Sequence, residues 1–286
     1  MTGTDPLPLC LYHQNCLDGR SAAAVIKQYE GRIELRPVHH ATPFTESVVA
    51  RRVYIVDVAL QEVDMRRIAV EAAEVIWLDH HESSVPLHAR LGWGQIEQQE
   101  CGATLAWRHC HGDATMPEVL RYVRDKDLWR WELADSRSIC AGLDDYIHDG
   151  NLDDLLSIDL QHMAEIGQQI LHRTAAEVSK TVTRGVEVDE PYGLRGKRAM
   201  VVNSLQFINE VGERITTSVE DGGAGLDLAI CFALRRDGRW IHCLRPPHVD
   251  CERIASNRGG GGHRQAASYV ADRPFPLSDD CLSWTL

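Results

Sequence analysis

Val75-Ile76-Trp77-Leu78-Asp79-His80-His81 decides the fold. Four apolar residues without a polar interruption read as a strand buried on both faces, and such strands belong to parallel sheets. Upstream the pattern repeats: Val53-Tyr54-Ile55-Val56 runs into Asp57. Residues 61–73, between the two, carry helical spacing. Further upstream, residues 7–12 form a third apolar run, which ends in His13-Gln14-Asn15-Cys16-Leu17-Asp18-Gly19. An Ala-rich helix over residues 21–29 follows. Short buried strands alternating with helices predict an α/β fold with a parallel sheet. Ligands of such sheets bind beyond the carboxyl ends of the strands. Three strands here deliver Asp and His to that edge.

The rest of the chain fits two bodies. Apolar residues from Leu155 to Val182 recur at helical spacing, so residues 153–184 read as one long amphipathic helix or a broken pair. Pro191-Tyr192-Gly193 is a turn signal. Residues 199–203 then read as a strand, 209–219 as a helix, and 226–234 with 240–244 as a hairpin around Asp237-Gly238. The expected organisation is a metal-binding catalytic domain over 1–150, a helical linker over 151–190 and a smaller α/β substrate-binding domain over 191–286.

The chain has 286 residues, 44% hydrophobic and 25% charged, the balance of a soluble globular protein. Its net charge of -12 repels long phosphate backbones, which excludes a processive duplex-DNA binder. No apolar run approaches the ~20 residues needed to span a bilayer. No secretory leader is visible at the N-terminus. The nine cysteines include no CxxC pair, so the expectation is reduced thiols in a cytoplasmic protein.

Imidazole and carboxylate together suit manganese, iron, zinc or cobalt. Asp79-His80-His81 offers both. Asp57, the one charged residue in a buried run, needs a partner or a cation. His13 and Asp18 sit in a stretch that also reads as a plain turn. Asp125 and Asp127, in Tyr122-Val123-Arg124-Asp125-Lys126-Asp127-Leu128-Trp129, are ligand candidates or solvated acids. Gly259 to Gly262 followed by His263-Arg264 could turn backbone N–H groups toward an anion, with two cationic side chains beside them. His39-His40 reads as a solvated loop. Tyr192, Trp240 and Tyr269 are candidates for base stacking, with core packing as the ordinary alternative.

In this order, residues 12–23, 56–60, 78–83, 101–107, 123–129 and 259–267 resemble the motifs of the DHH phosphoesterase superfamily with its DHH-associated C-terminal domain. The resemblance extends to its NCxDG-type branch, with relatives of the oligoribonuclease and exopolyphosphatase kinds. It implies a manganese-dependent hydrolase with its site in a cleft between two domains. The metal ligands implied are Asp18, Asp57, His80 and Asp125, with Asp127 competing for the last position, and His13 with Asp57 at a second metal. An aspartate of the wider superfamily is Cys16 here, which predicts one tight manganese and a second, weaker one; magnesium or cobalt are alternatives. Asp79 is expected to orient a ligand imidazole, and His81 to contact the phosphoryl group or aid proton transfer. Gly261, Gly262, His263 and Arg264 are expected to hold the substrate. The implied substrates are phosphodiesters of short oligonucleotides or small signalling nucleotides. The alternatives are a phosphoanhydride such as polyphosphate and, from a different class, a non-catalytic nucleotide-binding module. No long duplex and no membrane partner is expected.

Overall fold

The computed structural model describes residues 6–14, 16–148, 152–246 and 248–275. By its contacts the chain divides into two compact units, Met1–Leu171 and His172–Leu286.

The first unit is built on β1 (Leu9–His13), α1 (Leu17–Glu30), β2 (Glu34–Val38), β3 (Arg52–Val56), α2 (Glu62–Glu71), β4 (Glu74–Asp79), α3 (Val85–Leu91), β5 (Gln95–Ile96), α4 (Gly102–His111), α5 (Glu118–Asp127) and α6 (Ser136–His148). The five strands pair in parallel in the order β2-β1-β3-β4-β5. The period of two along each strand separates two cores. Leu9, Leu11, Val53, Ile55 and Trp77 pack on one face with Met65 and Ile68 of α2 and Leu87 of α3. Cys10, Tyr54, Val56 and Leu78 pack on the other, with α1, Leu105 of α4, Leu120 of α5 and Leu143 of α6. Both faces are covered, which is why these strands read as unbroken apolar runs. Chain order reverses between β1 and β3, and that switch opens a crevice at their carboxyl ends.

Helix α7 (Leu160–Thr183) follows a 3-10 turn at Leu155–Ser157, so the long periodic stretch is one helix with a separate short turn before it. The division between units falls within α7, between Leu171 and His172. The second unit carries β6 (Val186–Asp189), β7 (Arg198–Val202), α8 (Ile208–Thr216), β8 (Leu228–Leu234), β9 (Trp240–Arg245), α9 (Cys251–Ser256), β10 (Gly261–His263) and β11 (Ala266–Ala271). Its six-stranded mixed sheet has the order β10-β11-β9-β8-β7-β6. One face packs on Val211 and Ile215 of α8, the other on Ile254 and Ala255 of α9. The hairpin expected around Asp237-Gly238 is the antiparallel pair β8–β9. Tyr269 is buried, and Tyr192 is half-buried with its hydroxyl 3.0 Å from that of Tyr269. Trp240 is half-buried against Phe232, with ring centroids 5.6 Å apart. Among the described residues no helix is long and apolar enough to cross a membrane.

Candidate metal centre

His13 ends β1, Asp57 directly follows β3, and Asp79 ends β4, so adjacent strands place these side chains along one edge of the sheet. Asp57 takes a left-handed backbone conformation, φ 57°, while its N–H donates to Leu78 O at 2.9 Å. Asp tolerates that region better than most residues, and a strained position beside a site is a common functional feature.

His80 is the hub. Its Nε2 lies 3.1 Å from Asp57 Oδ1, 3.3 Å from Asp127 Oδ2 and 3.6 Å from Asp18 Oδ2. Three carboxylates therefore crowd one buried imidazole. Asp18 stands in the first turn of α1, and its oxygens accept from the N–H groups of Gly102 (2.6 Å) and Ala103 (2.8 Å) at the start of α4. The positive end of that helix favours an anion there. Gly102 is required by space: a Cβ would stand 2.6 Å from Asp57 Cβ and 2.9 Å from Asp18 Oδ2. Gly102 lies within a motif segment, residues 101–107, and its role shows only when residues 84 positions apart meet.

The electrostatics follow from burial and crowding. Burial pushes the Asp18 carboxyl well above its usual range, and the charges of Asp57 and Asp127 push it further. Asp127 is raised by burial against the opposing pull of His80. Burial would raise Asp57 too, but the imidazoles of His13 and His80 beside it bring it well below the usual range. Burial disfavours the His80 imidazolium, yet Asp127, Asp57 and Asp18 together raise its pKa well above the ordinary value.

Asp125 corrects the sequence expectation. Its carboxylate accepts from the N–H groups of Glu132 (3.0 Å) and Leu133 (3.4 Å) and so ties down the loop after α5. Asp127, at the end of the same helix, faces His80. Asp79 is corrected in its detail. One oxygen accepts from the N–H groups of His80 (2.7 Å) and His81 (3.2 Å) and meets His81 Nδ1 at 2.7 Å; the other accepts from Ser84 Oγ at 2.6 Å. It therefore holds the turn and the His81 ring, not the His80 ring. A carboxylate cannot donate, so Nδ1 of His81 carries the proton toward Asp79 and Nε2 carries the lone pair of the neutral ring.

His13 Nδ1 lies 3.4 Å from Asp57 Oδ2. Ligand atoms of His13, Cys16 and Asp57 fall within 4.8 Å of one another, as do those of Asp18, His80 and Asp127. The Cys16 thiol thus stands where the second group of ligands meets. Burial first, and then the charges of Asp57, Asp127 and Asp18, push its pKa well up, so it faces that group as a neutral thiol. The loop reading of His39-His40 is incomplete. The two rings lie 4.2 Å apart and tilted, His39 lies 6.4 Å from the His13 ring, and His13 lies 6.0 Å from the His81 ring. A row of imidazoles leads away from the carboxylates.

The residues suit a divalent cation. Asp57 Oδ2 and Asp127 Oδ2 are buried with no hydrogen-bond partner among the described residues. Buried carboxylates this close are costly unless a cation neutralises them. Three oxygen donors with imidazole match manganese and its neighbours better than soft, thiolate-binding ions.

In the second unit Gly261, Gly262 and His263 form strand β10, paired with β11 as a hairpin at the sheet edge, so the second half of the glycine run is strand while Gly259 lies in the turn before it. A Cβ on Gly262, φ 136°, would stand 2.5 Å from Ala266 O, so glycine permits the tight hairpin. Arg264 is exposed, with Nε 3.9 Å from Asp250 Oδ2.

No family model matches the chain. A curated relative, uncharacterized protein R106 of Acanthamoeba polyphaga mimivirus, is 22% identical over 308 residues, spanning 97% of this chain and 72% of that protein. Among solved structures, the DHH domain of a member of the S1p family of ribosomal proteins superposes with a TM-score of 0.61 at 14% identity, over 93% of this chain and 82% of that one. An exopolyphosphatase-related protein from Bacteroides fragilis superposes with a TM-score of 0.52 at 10% identity, over 96% and 89%. The fold is that of the DHH-domain proteins.

Proposed function

We propose that this protein is a metal-dependent phosphoesterase, manganese being the preferred ion, which hydrolyses phosphodiester bonds of short oligonucleotides or small signalling nucleotides. The observation that carries the proposal is the set of three carboxylates, Asp18 and Asp57 buried and Asp127 partly so, within 3.6 Å of His80 Nε2 at the edge of a parallel sheet. Asp18, Asp57, His80 and Asp127 would hold one ion, and His13 with Asp57 a second, weaker one. When bound, such an ion lowers the pKa of water and neutralises charge on the phosphoryl oxygens.

The chain's own residues do the rest. The start of α4 fixes Asp18, which keeps the acids in place without substrate. Asp79 fixes the His81 ring and favours its doubly protonated form; that imidazolium can donate from Nε2 to a phosphoryl oxygen or pass the Nε2 proton to the leaving oxygen. Asp79 is a positioning residue in this scheme, and its charge steadies the imidazolium. Gly261, Gly262, His263 and Arg264 are proposed to hold substrate phosphate. The net charge of -12 favours short substrates over long ones.

The test is product release with manganese across dinucleotides, cyclic dinucleotides, polyphosphate and a phosphodiester reporter. The expected result is hydrolysis of dinucleotides that a chelator stops. Release from polyphosphate alone would move the assignment to phosphoanhydrides. Silence across the panel from folded, manganese-loaded protein would overturn it.

A further inference from the structure

The backbone of the loop after Asp127 is strained at three positions. Trp129 (φ 55°), Trp131 (φ 56°) and Asp135 (φ 56°) all take the left-handed conformation. Bulky residues rarely do so, and such strain gathers at ligand-binding segments. The loop is held on purpose from several sides. Asp125 accepts from Glu132 and Leu133, and its carbonyl accepts from Arg130 N at 2.8 Å. Trp129 N donates to Lys126 O at 2.9 Å, and the Arg130 guanidinium reaches Gln99 O at 3.3 Å.

What the strain presents is a pair of indoles. Trp129 and Trp131 are both half-buried, edge to face, with centroids 5.0 Å apart. Arg137 stands 4.5 Å over the Trp131 ring. The Trp131 Nε1–H is buried with no hydrogen-bond partner among the described residues. An indole N–H is a donor only and ordinarily finds an acceptor when buried. Trp129 is two residues from Asp127, so their Cα atoms are at most about 7 Å apart by chain reach alone. The loop that carries the indole pair therefore starts beside Asp127, a proposed metal ligand of the same unit.

We propose that Trp129 and Trp131 form a nucleobase platform, which makes the substrate a nucleotide and not a chain of inorganic phosphates. The reading rests on the phosphoesterase proposal for the adjoining site. A polyphosphate has only charged oxygens and gains nothing from an indole face. A nucleotide brings a flat ring to stack and oxygens or ring nitrogens to accept from Nε1–H. Stacking on aromatic faces tolerates any base, because every base has a π face.

The test is calorimetric binding of adenosine 5′-monophosphate and of ribose 5-phosphate, which differ only by the base, to the manganese-loaded protein. Wild type should prefer the nucleotide roughly 5- to 150-fold, the range for stacking one base. Trp129→Leu and Trp131→Leu should bring that ratio toward one, while Trp131→Phe should keep part of it. A lesion that merely disturbs the fold lowers both affinities and leaves the ratio. Equal affinity for the two ligands in wild type, or a preference that survives both leucine substitutions, would overturn the platform. Because the readout is binding, failure to hydrolyse any phosphoester would remove the activity proposal, and the assignment of a substrate with it, while the base platform itself stands or falls on the affinity ratio.

Discussion

Asp125 and Asp127 separate structure from chemistry within one helical turn. In Asp125→Ala the N–H groups of Glu132 and Leu133 lose their acceptor. Glu132 is exposed and Leu133 half-buried, so what is lost is their hydrogen bonding to a charged acceptor, together about 1–3 kcal/mol. The first unit spans Met1–Leu171, and for a body of that size each kcal/mol moves Tm by about 2–4 °C, so the loss should be ~2–12 °C. Asp127→Asn loses no such hydrogen bond, and it relieves crowding among Asp18, Asp57 and Asp127, so its metal-free Tm should equal or exceed that of wild type. Manganese reverses the ranking. At a hundred times Kd a ligand stabilises the folded state by ~2.7 kcal/mol, which is a rise of about 5–11 °C. Losing a group behind the ligands already weakens metal sites about 10- to 100-fold. A 100-fold loss in Asp127→Asn would leave ~0.4 kcal/mol and a shift of about 1–2 °C. Asp125→Ala should keep most of its manganese shift from a lower starting point. Thermal melts with and without manganese test this. Loss of the shift in Asp125→Ala and its retention in Asp127→Asn would refute the assignment.

Asp57→Asn and His80→Ala should each abolish manganese-dependent hydrolysis with the circular dichroism spectrum unchanged; near wild-type turnover in either would mean the site is elsewhere. Gly102→Ala drives a methyl group to 2.6 Å from Asp57 Cβ, so it should weaken manganese binding by at least about tenfold, and unaltered calorimetry would contradict the close approach. Cys16→Asp should strengthen the second manganese site while Cys16→Ser leaves activity mostly intact; two equally tight ions in the wild type would oppose this. His242 is buried, stacked on Tyr269 at 4.8 Å, and its pKa is lowered by burial and by Arg258, against a hydrogen bond to Arg273 O. The unfolded chain then takes up the proton first, so stability should fall as pH drops below ~6.5. His242→Phe should flatten that slope, and an unchanged slope would exclude His242 as its source.

The sequence determined the parallel sheet and its functional edge, because strands covered on both faces must be apolar throughout. An acid or imidazole ending such a run has nowhere to go but the carboxyl edge. Asp57, Asp79, His80 and His81 were legible for that reason. The hairpin around Gly238 and the long helix α7 were legible from period and turn chemistry. Other features needed the tertiary structure. Asp125 and Asp127 are two residues apart on a helix, about 200° around its axis, so only packing decides which faces His80 and which ties the loop. Gly102 matters because α4 begins against Asp18 and Asp57, a meeting of distant segments that local spacing does not encode. The indole pair is visible as two letters in the sequence, but the left-handed backbone and the buried N–H, without a partner among the described residues, exist only once the loop is pinned. Spacing alone leaves the local conformation of the glycine run open, and the pairing of Gly261 and Gly262 with Ser268 and Ala267 decides its second half, because only a side-chain-free backbone passes so close to its neighbour.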